Sequence, residues 1–155
     1  MKNAAKNQPS ELRDHLGFWL RAVSNHVSQT FARKLLDSGV TVAEWVILRE
    51  MFHRAGTAPS DLATLTGLTR GAISKLVDRL IAKDLLARTY ADDDRRYQSL
   101  ALTPAGHKLV PKLAAIADEN DKAFFDTLSK KERARLRDTL AKLVEAHNLN
   151  TVPIE

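Results

Sequence analysis

Five polar residues, Thr69, Arg70, Ser74, Lys75 and Arg79, recur within the stretch DLATLTGLTRGAISKLVDRL at residues 61–80. At helical spacing they point away from Ile73, Leu76, Val77 and Leu80. Their chemistry is recognition, not bond making. An arginine guanidinium pairs with two acceptors on a guanine edge, while hydroxyls and a lysine reach bases or phosphates. Gly71 takes bulk out of the first turn, which permits close approach to a groove. Arg95 and Arg96 follow in the run ADDDRR. On a thin loop they suit a narrow minor groove, where A·T tracts concentrate negative potential. Asp94 has the wrong sign for a polyanion and reads as support for an arginine through a charge-assisted hydrogen bond. The plain alternatives are a helical hairpin with a solvated polar face and an ordinary charged turn.

Other chemistries lack their residues. Cysteine is absent, which removes disulfides, thiolate nucleophiles and cysteinyl metal sites. The histidines, at 15, 26, 53, 107 and 147, form no HxxxH pair. Glu11 and His15 stand one helical turn apart, a spacing more common in surface contacts than in metal sites. Asp92, Asp93 and Asp94 are consecutive carboxylates without further ligands, a poor cation site. No glycine-rich phosphate loop or nucleophile motif occurs. The expectation is a protein with no metal, no cofactor and no enzymatic activity. The formal charge of +5 favours a polyanionic partner, although charge alone is a weak signal. No apolar run is long enough to span a bilayer, and MKNAAKNQPS lacks the apolar segment of a secretory signal. The default expectation is a cytoplasmic chain with a disordered tail over residues 1–10.

The elements that must position these residues follow from periodicity. Leu12, Leu16, Leu20, Val23, Val27, Phe31 and Leu35 make one apolar stripe over residues 11–37, closed by Gly39. Thr41 and Glu44 have capping-box spacing, opening a helix through about Arg54 with Val42, Trp45, Leu48, Met51 and Phe52 inward. Pro59-Ser60-Asp61 opens a short helix that ends at Gly67, and Thr69 caps the next, running to about Asp84. Ala63, Gly67 and Ile73 then have the internal spacing of a helix-turn-helix, whose second helix projects outward.

The period changes to two in Leu86–Tyr90 and Ser99–Leu102, which predicts a β-hairpin wing around the charged run. Without an Asn-Gly turn signal, a longer mobile loop is expected at its tip. Thr103-Pro104 starts a helix carrying Leu109, Leu113, Ile116 and Phe124. Ser129 and Glu132 cap a last one with Leu136, Leu140, Leu143 and Val144. The predicted fold is mainly α with a small β-hairpin, in the order α-α-α-α-β-β-α-α, a winged helix-turn-helix whose terminal helices form a dimerisation region.

Residues 11–147 read as one domain, with 41–102 as the DNA-binding part, 11–37 and 104–147 as dimerisation helices, and 148–155 as a C-terminal tail. The first and last stripes are more apolar surface than the small winged unit can cover. A homodimer is therefore expected, and with it an inverted-repeat target with half-sites about 10 bp apart. Trp19, with His15 one turn before it, is the candidate wall of a small-molecule pocket; a tryptophan beside an apolar stripe is more often plain core. A winged helix also serves as a protein-interaction module or as an architectural DNA binder without an effector. The basic recognition face argues against the first of these, since an interaction module exposes apolar residues there.

In element order and length, residues 11–147 resemble the multiple-antibiotic-resistance regulator (MarR) family. The carriers are TRGAISKLVDRL, the wing run DDDRR and the following LALTPAGHKL. The resemblance implies sequence-specific binding of double-stranded DNA by a dimeric repressor. It aligns the family's wing Asp-x-Arg with Asp94 and Arg96, making Arg96 the minor-groove residue and Asp94 its support. It implies terminal helices intertwined with a second subunit. It also implies a small aromatic or phenolic ligand, bound between the dimerisation and DNA-binding regions, that releases DNA. The branch that senses oxidants through cysteine is excluded here, and nothing points to the zinc-sensing branch.

Overall fold

The computed structural model describes residues 9–54, 56–91 and 94–154, with the side chains of 91 and 94–97 outside the description. The order is α1 (Leu16–Leu36), α2 (Val42–Met51), α3 (Pro59–Thr66), α4 (Arg70–Ala82), β1 (Leu86–Ala91), β2 (Asp94–Leu102), α5 (Pro104–Phe125) and α6 (Lys130–Ala146). This is the expected mainly helical fold with a two-stranded wing. Of the expected N-terminal tail, residues 1–8 lie outside the described residues.

The first helix departs from expectation. Residues 12–14 form a separate 3₁₀ turn, and His15 is extended before α1 begins. Local polar partners hold the break: the Glu11 N–H donates to Asp14 Oδ2, and Trp19 Nε1–H donates to the Arg13 carbonyl. Ser10 Oγ lies 3.0 Å from His15 Nε2. Gly17, with its low helix propensity, does nothing to bridge the gap. Glu11 and His15 are thus not neighbours on one helix.

Helix α2 has the predicted box: Thr41 Oγ1 accepts the Glu44 N–H, and Glu44 returns to the Thr41 N–H. It ends at Met51, short of the expected Arg54, and it buries Ile47 and Glu44 while Val42, Trp45 and Phe52 are only partly covered. The core gathers Ile47, Leu48 and Met51 with Leu62, Ile73, Leu80 and Leu100, all fully buried. Burying each such side chain stabilises by roughly 1.5–3 kcal/mol before entropy is counted. Thr57 pairs with Leu100 by mutual backbone hydrogen bonds, a single antiparallel bridge beside the two-stranded wing.

The wing also differs from expectation. Antiparallel pairing runs from Leu86↔Leu102 to Tyr90↔Gln98, then slips and resumes at Ala91↔Asp94. The extra residues of the charged run are taken into β2 as a bulge, so only positions 92 and 93, outside the described residues, separate the strands.

The terminal helices are built differently. α1 buries only Leu35, and α6 buries nothing. α5 packs beside α1, where the Asn120 side-chain amide donates to the Val27 carbonyl at 3.3 Å. After α6 the chain turns at Asn148, in the left-handed region, and runs back to the helix-turn-helix. There the Val152 N–H donates to the Thr66 carbonyl at 2.9 Å. Part of the C-terminal tail thus docks as a strap against the helix-turn-helix.

Candidate nucleic-acid interface

The turn between α3 and α4 is made by short-range chemistry. Gly67 takes φ +69, a left-handed C-cap that its missing Cβ allows, and its N–H donates to the Ala63 carbonyl. Thr69 then caps α4, its Oγ1 accepting the Ala72 N–H at 3.2 Å. That hydroxyl oxygen is occupied, but its O–H remains a donor. Ile73, Leu76, Val77 and Leu80 bury one side of α4. Arg70, Ser74, Lys75 and Arg79 are all exposed around the rest of the helix. A Cβ on Gly71 would meet nothing within 4 Å, so the first turn faces open space.

Arg70 and Ser74 share a groove with Pro59, Ser60, Arg88 and Gln98, between the start of α3, α4 and the wing. Arg88, on β1, donates to Asp78 Oδ1 at 2.8 Å and ties the wing to α4. Hydrogen bonding to Tyr90 and then to Asp78 raises its pKa above the ordinary arginine value, outweighing burial. The pair explains how an acid, Asp78, is accommodated on an outward face otherwise basic.

Arg79 is placed differently from Arg70. At 100° per residue the two stand about 180° apart around α4. The Arg79 Nε lies 3.5 Å from Glu44 Oε1, on the flank facing α2. Lys83 reaches the same carboxylate, its Nζ donating to Glu44 Oε2 at 2.7 Å and to the Gly39 carbonyl at 2.8 Å. Glu44 is 1% exposed. Burial works against its ionisation, yet the hydrogen bonds from Lys83 and Thr41 and the charges of Lys83 and Arg79 prevail and lower its pKa.

Asp94, Arg95 and Arg96 lie on the backbone of β2, and their side chains are outside the described residues. His15 and Trp19 stand together near the start of α1, but neither lines the cleft of about 260 Å³ between α1, α2 and α5. That cleft is walled by Val27, Phe31, Val42, Trp45, Asn120 and Pro153. Trp19 is instead 49% exposed, edge-on to Phe18. Sequence reasoning missed Asp78, Arg88, Glu44 and Lys83 as parts of the site. No local pattern marks them, because each partner lies on a different element. Among the described residues no group of three His, Asp or Glu is placed to hold a metal, and no helix is long and apolar enough to cross a membrane.

A helix-turn-helix with an exposed basic second helix, followed at once by a β-wing, defines a winged helix-turn-helix DNA-binding protein. Known proteins sharpen this. The model of the MarR family matches residues 38–96. A Thauera aromatica protein named for transcriptional regulation of the hcr operon is 31% identical over 129 residues, 83% of this chain and 78% of its own. Bordetella bronchiseptica BpsR, whose DNA binding is regulated by 6-hydroxynicotinic acid, is 26% identical with a TM-score of 0.75, over 88% of this chain and 97% of its own. Staphylococcus aureus MepR, solved as a DNA complex, is 25% identical with a TM-score of 0.75, over 85% of this chain and 98% of its own. The chain belongs to the MarR family of transcription regulators.

Proposed function

We propose that this protein is a homodimeric, sequence-specific repressor that works in the cytoplasm on an inverted-repeat operator and is released by a small aromatic acid. The observation that carries the DNA-reading part is the placement of Arg70, Ser74 and Lys75 on the open side of α4, beside an unobstructed Gly71. In this reading Arg70 pairs with a guanine edge, and Ser74 and Lys75 reach neighbouring bases or phosphates. The Thr69 hydroxyl and the Asp78-held Arg88 contact backbone phosphates on either side. Arg95 and Arg96 enter the minor groove, with Asp94 orienting Arg96. Arg79, exposed one turn beyond Lys75 and with its Nε 3.5 Å from Glu44 Oε1, is a phosphate contact at the edge of this set.

The dimer is supported by apolar surface that a single chain leaves open. Leu16 is 81% exposed, and Leu20, Val23, Leu140, Leu143 and Val144 are also exposed. The ligand is supported by the cleft around Trp45, apolar with Asn120 as a polar anchor, and by the response of BpsR to an aromatic acid. His15 and Trp19 enter this reading only through the second subunit's approach to α1.

Selection of bound sequences from random DNA tests the proposal. The expected product is an inverted repeat with half-sites about 10 bp apart. Arg70→Ala is expected to relax preference at one base pair per half-site, at roughly 1–3 kcal/mol for each lost contact. Enrichment of no sequence would overturn the reading. A reporter driven from the selected operator is expected to rise when the protein is removed or an effective aromatic acid is added.

A further inference from the structure

Burying a carboxylate is costly unless its partners compensate. The capping box explains one contact of Glu44, the Thr41 N–H at 2.9 Å. It does not explain why the same group holds two cations of α4's C-terminal end, Lys83 at 2.7 Å and Arg79 at 3.5 Å. Lys83 also reaches the Gly39 carbonyl, so the far end of α4 is moored to both the α1–α2 turn and α2.

The near end of α4 is fixed by the Gly67 turn and the Thr69 cap. Between the two moorings, α4 rests on Ile73, Leu76, Val77 and Leu80, and the Arg88–Asp78 hydrogen bond ties its outer side to the wing. Apolar burial is non-directional and by itself sets the roll of a helix less sharply than a hydrogen bond does. Charge-assisted hydrogen bonds are directional. The cluster has a second consequence: cations whose charge Glu44 partly offsets attract phosphates of any sequence less strongly.

We propose that Glu44 is a positioning residue for sequence reading, which sets the roll of α4 through Lys83 and Arg79 and weakens the indiscriminate pull of both cations on phosphates. This rests on α4 being the base-reading helix. The Glu44 carboxylate acts through α4 and touches no DNA itself.

The test uses the full-length protein, the operator it selects from random DNA, and a random-sequence duplex of equal length. Binding is measured by fluorescence anisotropy at several salt concentrations, at a temperature where circular dichroism finds each variant folded. Glu44→Gln keeps the shape and removes the charge. It is expected to lower the operator-to-random affinity ratio about tenfold, the worth of roughly one misread base pair. It is also expected to steepen the salt dependence on the random duplex by about one released ion. Lys83→Met is expected to lower the ratio similarly without steepening the slope. A folded variant that keeps the wild-type ratio overturns the proposal, and if Glu44→Gln does not fold, Lys83→Met decides on the same criterion. A wild type that selects no operator overturns the role of α4 itself and this inference with it. A wild type that selects one, while the variants keep its ratio, overturns only the inference.

Discussion

The winged unit and the terminal helices answer the same physical demand in opposite ways. In residues 41–102 each apolar stripe meets another from the same chain: Ile47, Leu48 and Met51 of α2, Leu62 of α3, Ile73 and Leu80 of α4 and Leu100 of β2 are all fully buried. In α1 and α6 equally apolar stripes face outward, with Leu16 at 81%, Leu20 at 47% and Val144 at 46% exposed. Amphipathicity alone does not distinguish the two regions. The difference is whether the chain supplies the covering surface itself. The reading head is covered mostly by its own chain segment, with Leu35 of α1 and Val110 and Leu113 of α5 completing its core, so its geometry is set within one chain yet touches the helices beneath it. Helices left open lack a covering surface within the chain; in the proposed dimer a second copy supplies it and sets the distance between two reading heads.

The sharpest break of this comparison is Ile73→Ala. It empties a fully buried site in the closed region and is expected to cost about 2–5 kcal/mol. Thermal unfolding would register a loss that does not depend on protein concentration. Leu140→Glu does the reverse. It changes an exposed residue and is expected to weaken self-association by about 2 kcal/mol or more, as a central interface side chain does. Sedimentation at micromolar concentration would then find a 17.3 kDa species where the wild type is expected to give a dimer. A wild type that already sediments as a single chain ends the comparison.

Gly67→Ala probes the contact that crosses between the regions. Gly67 has φ +69, and an added Cβ would lie 2.9 Å from the Thr151 Cα of the returning C-terminal strap. The left-handed backbone alone is expected to cost about 1–2 kcal/mol. Removing residues 150–155 is expected to recover only the part due to crowding, so a double-mutant cycle on melting temperatures separates the two causes.

Acid unfolding sharpens the comparison further. The folded Glu44 pKa lies below the ordinary value of 4.5. Its contribution is therefore complete above that value and is lost as pH falls through the lower folded pKa. Glu44→Gln is expected to show a shallower loss of melting temperature below pH 4.5 than the wild type. Equal slopes would place the acid sensitivity elsewhere.

The smallest effect is expected at the wing. Asp94→Ala should leave the melting temperature unchanged and weaken operator binding, because Arg96 loses its support. Bare electrostatics predicts tighter binding on removal of a negative charge near DNA. Titration at two salt concentrations distinguishes them, and tighter binding at both would remove Asp94 from its orienting role.

Much of this architecture was legible before any coordinates. Thr41–Glu44, Thr69 and Ser129–Glu132 cap their helices as read, and Ile73, Leu76, Val77 and Leu80 are buried as read. Caps and periodicity succeed because their partners lie within a turn or two along the chain. The break at His15 was missed although it is local. There, the hydrogen bond that Trp19 donates to the Arg13 carbonyl and the one that Asp14 accepts from the Glu11 N–H compete with an otherwise continuous apolar stripe.

By itself the sequence determined the elements, the burial of α4's apolar side and the exposure of Arg70, Ser74 and Lys75. It also determined the excess of apolar surface on the terminal helices. Only the tertiary structure decided the roles of similar charges on one helix. Arg70 opens into a groove, Arg79 and Lys83 turn to a buried carboxylate, and Asp78 is taken up by Arg88 from the wing. The reason is range. A helical face follows from spacing within a few residues, whereas Glu44 and Lys83 are 39 residues apart and meet only because α2 and α4 pack together.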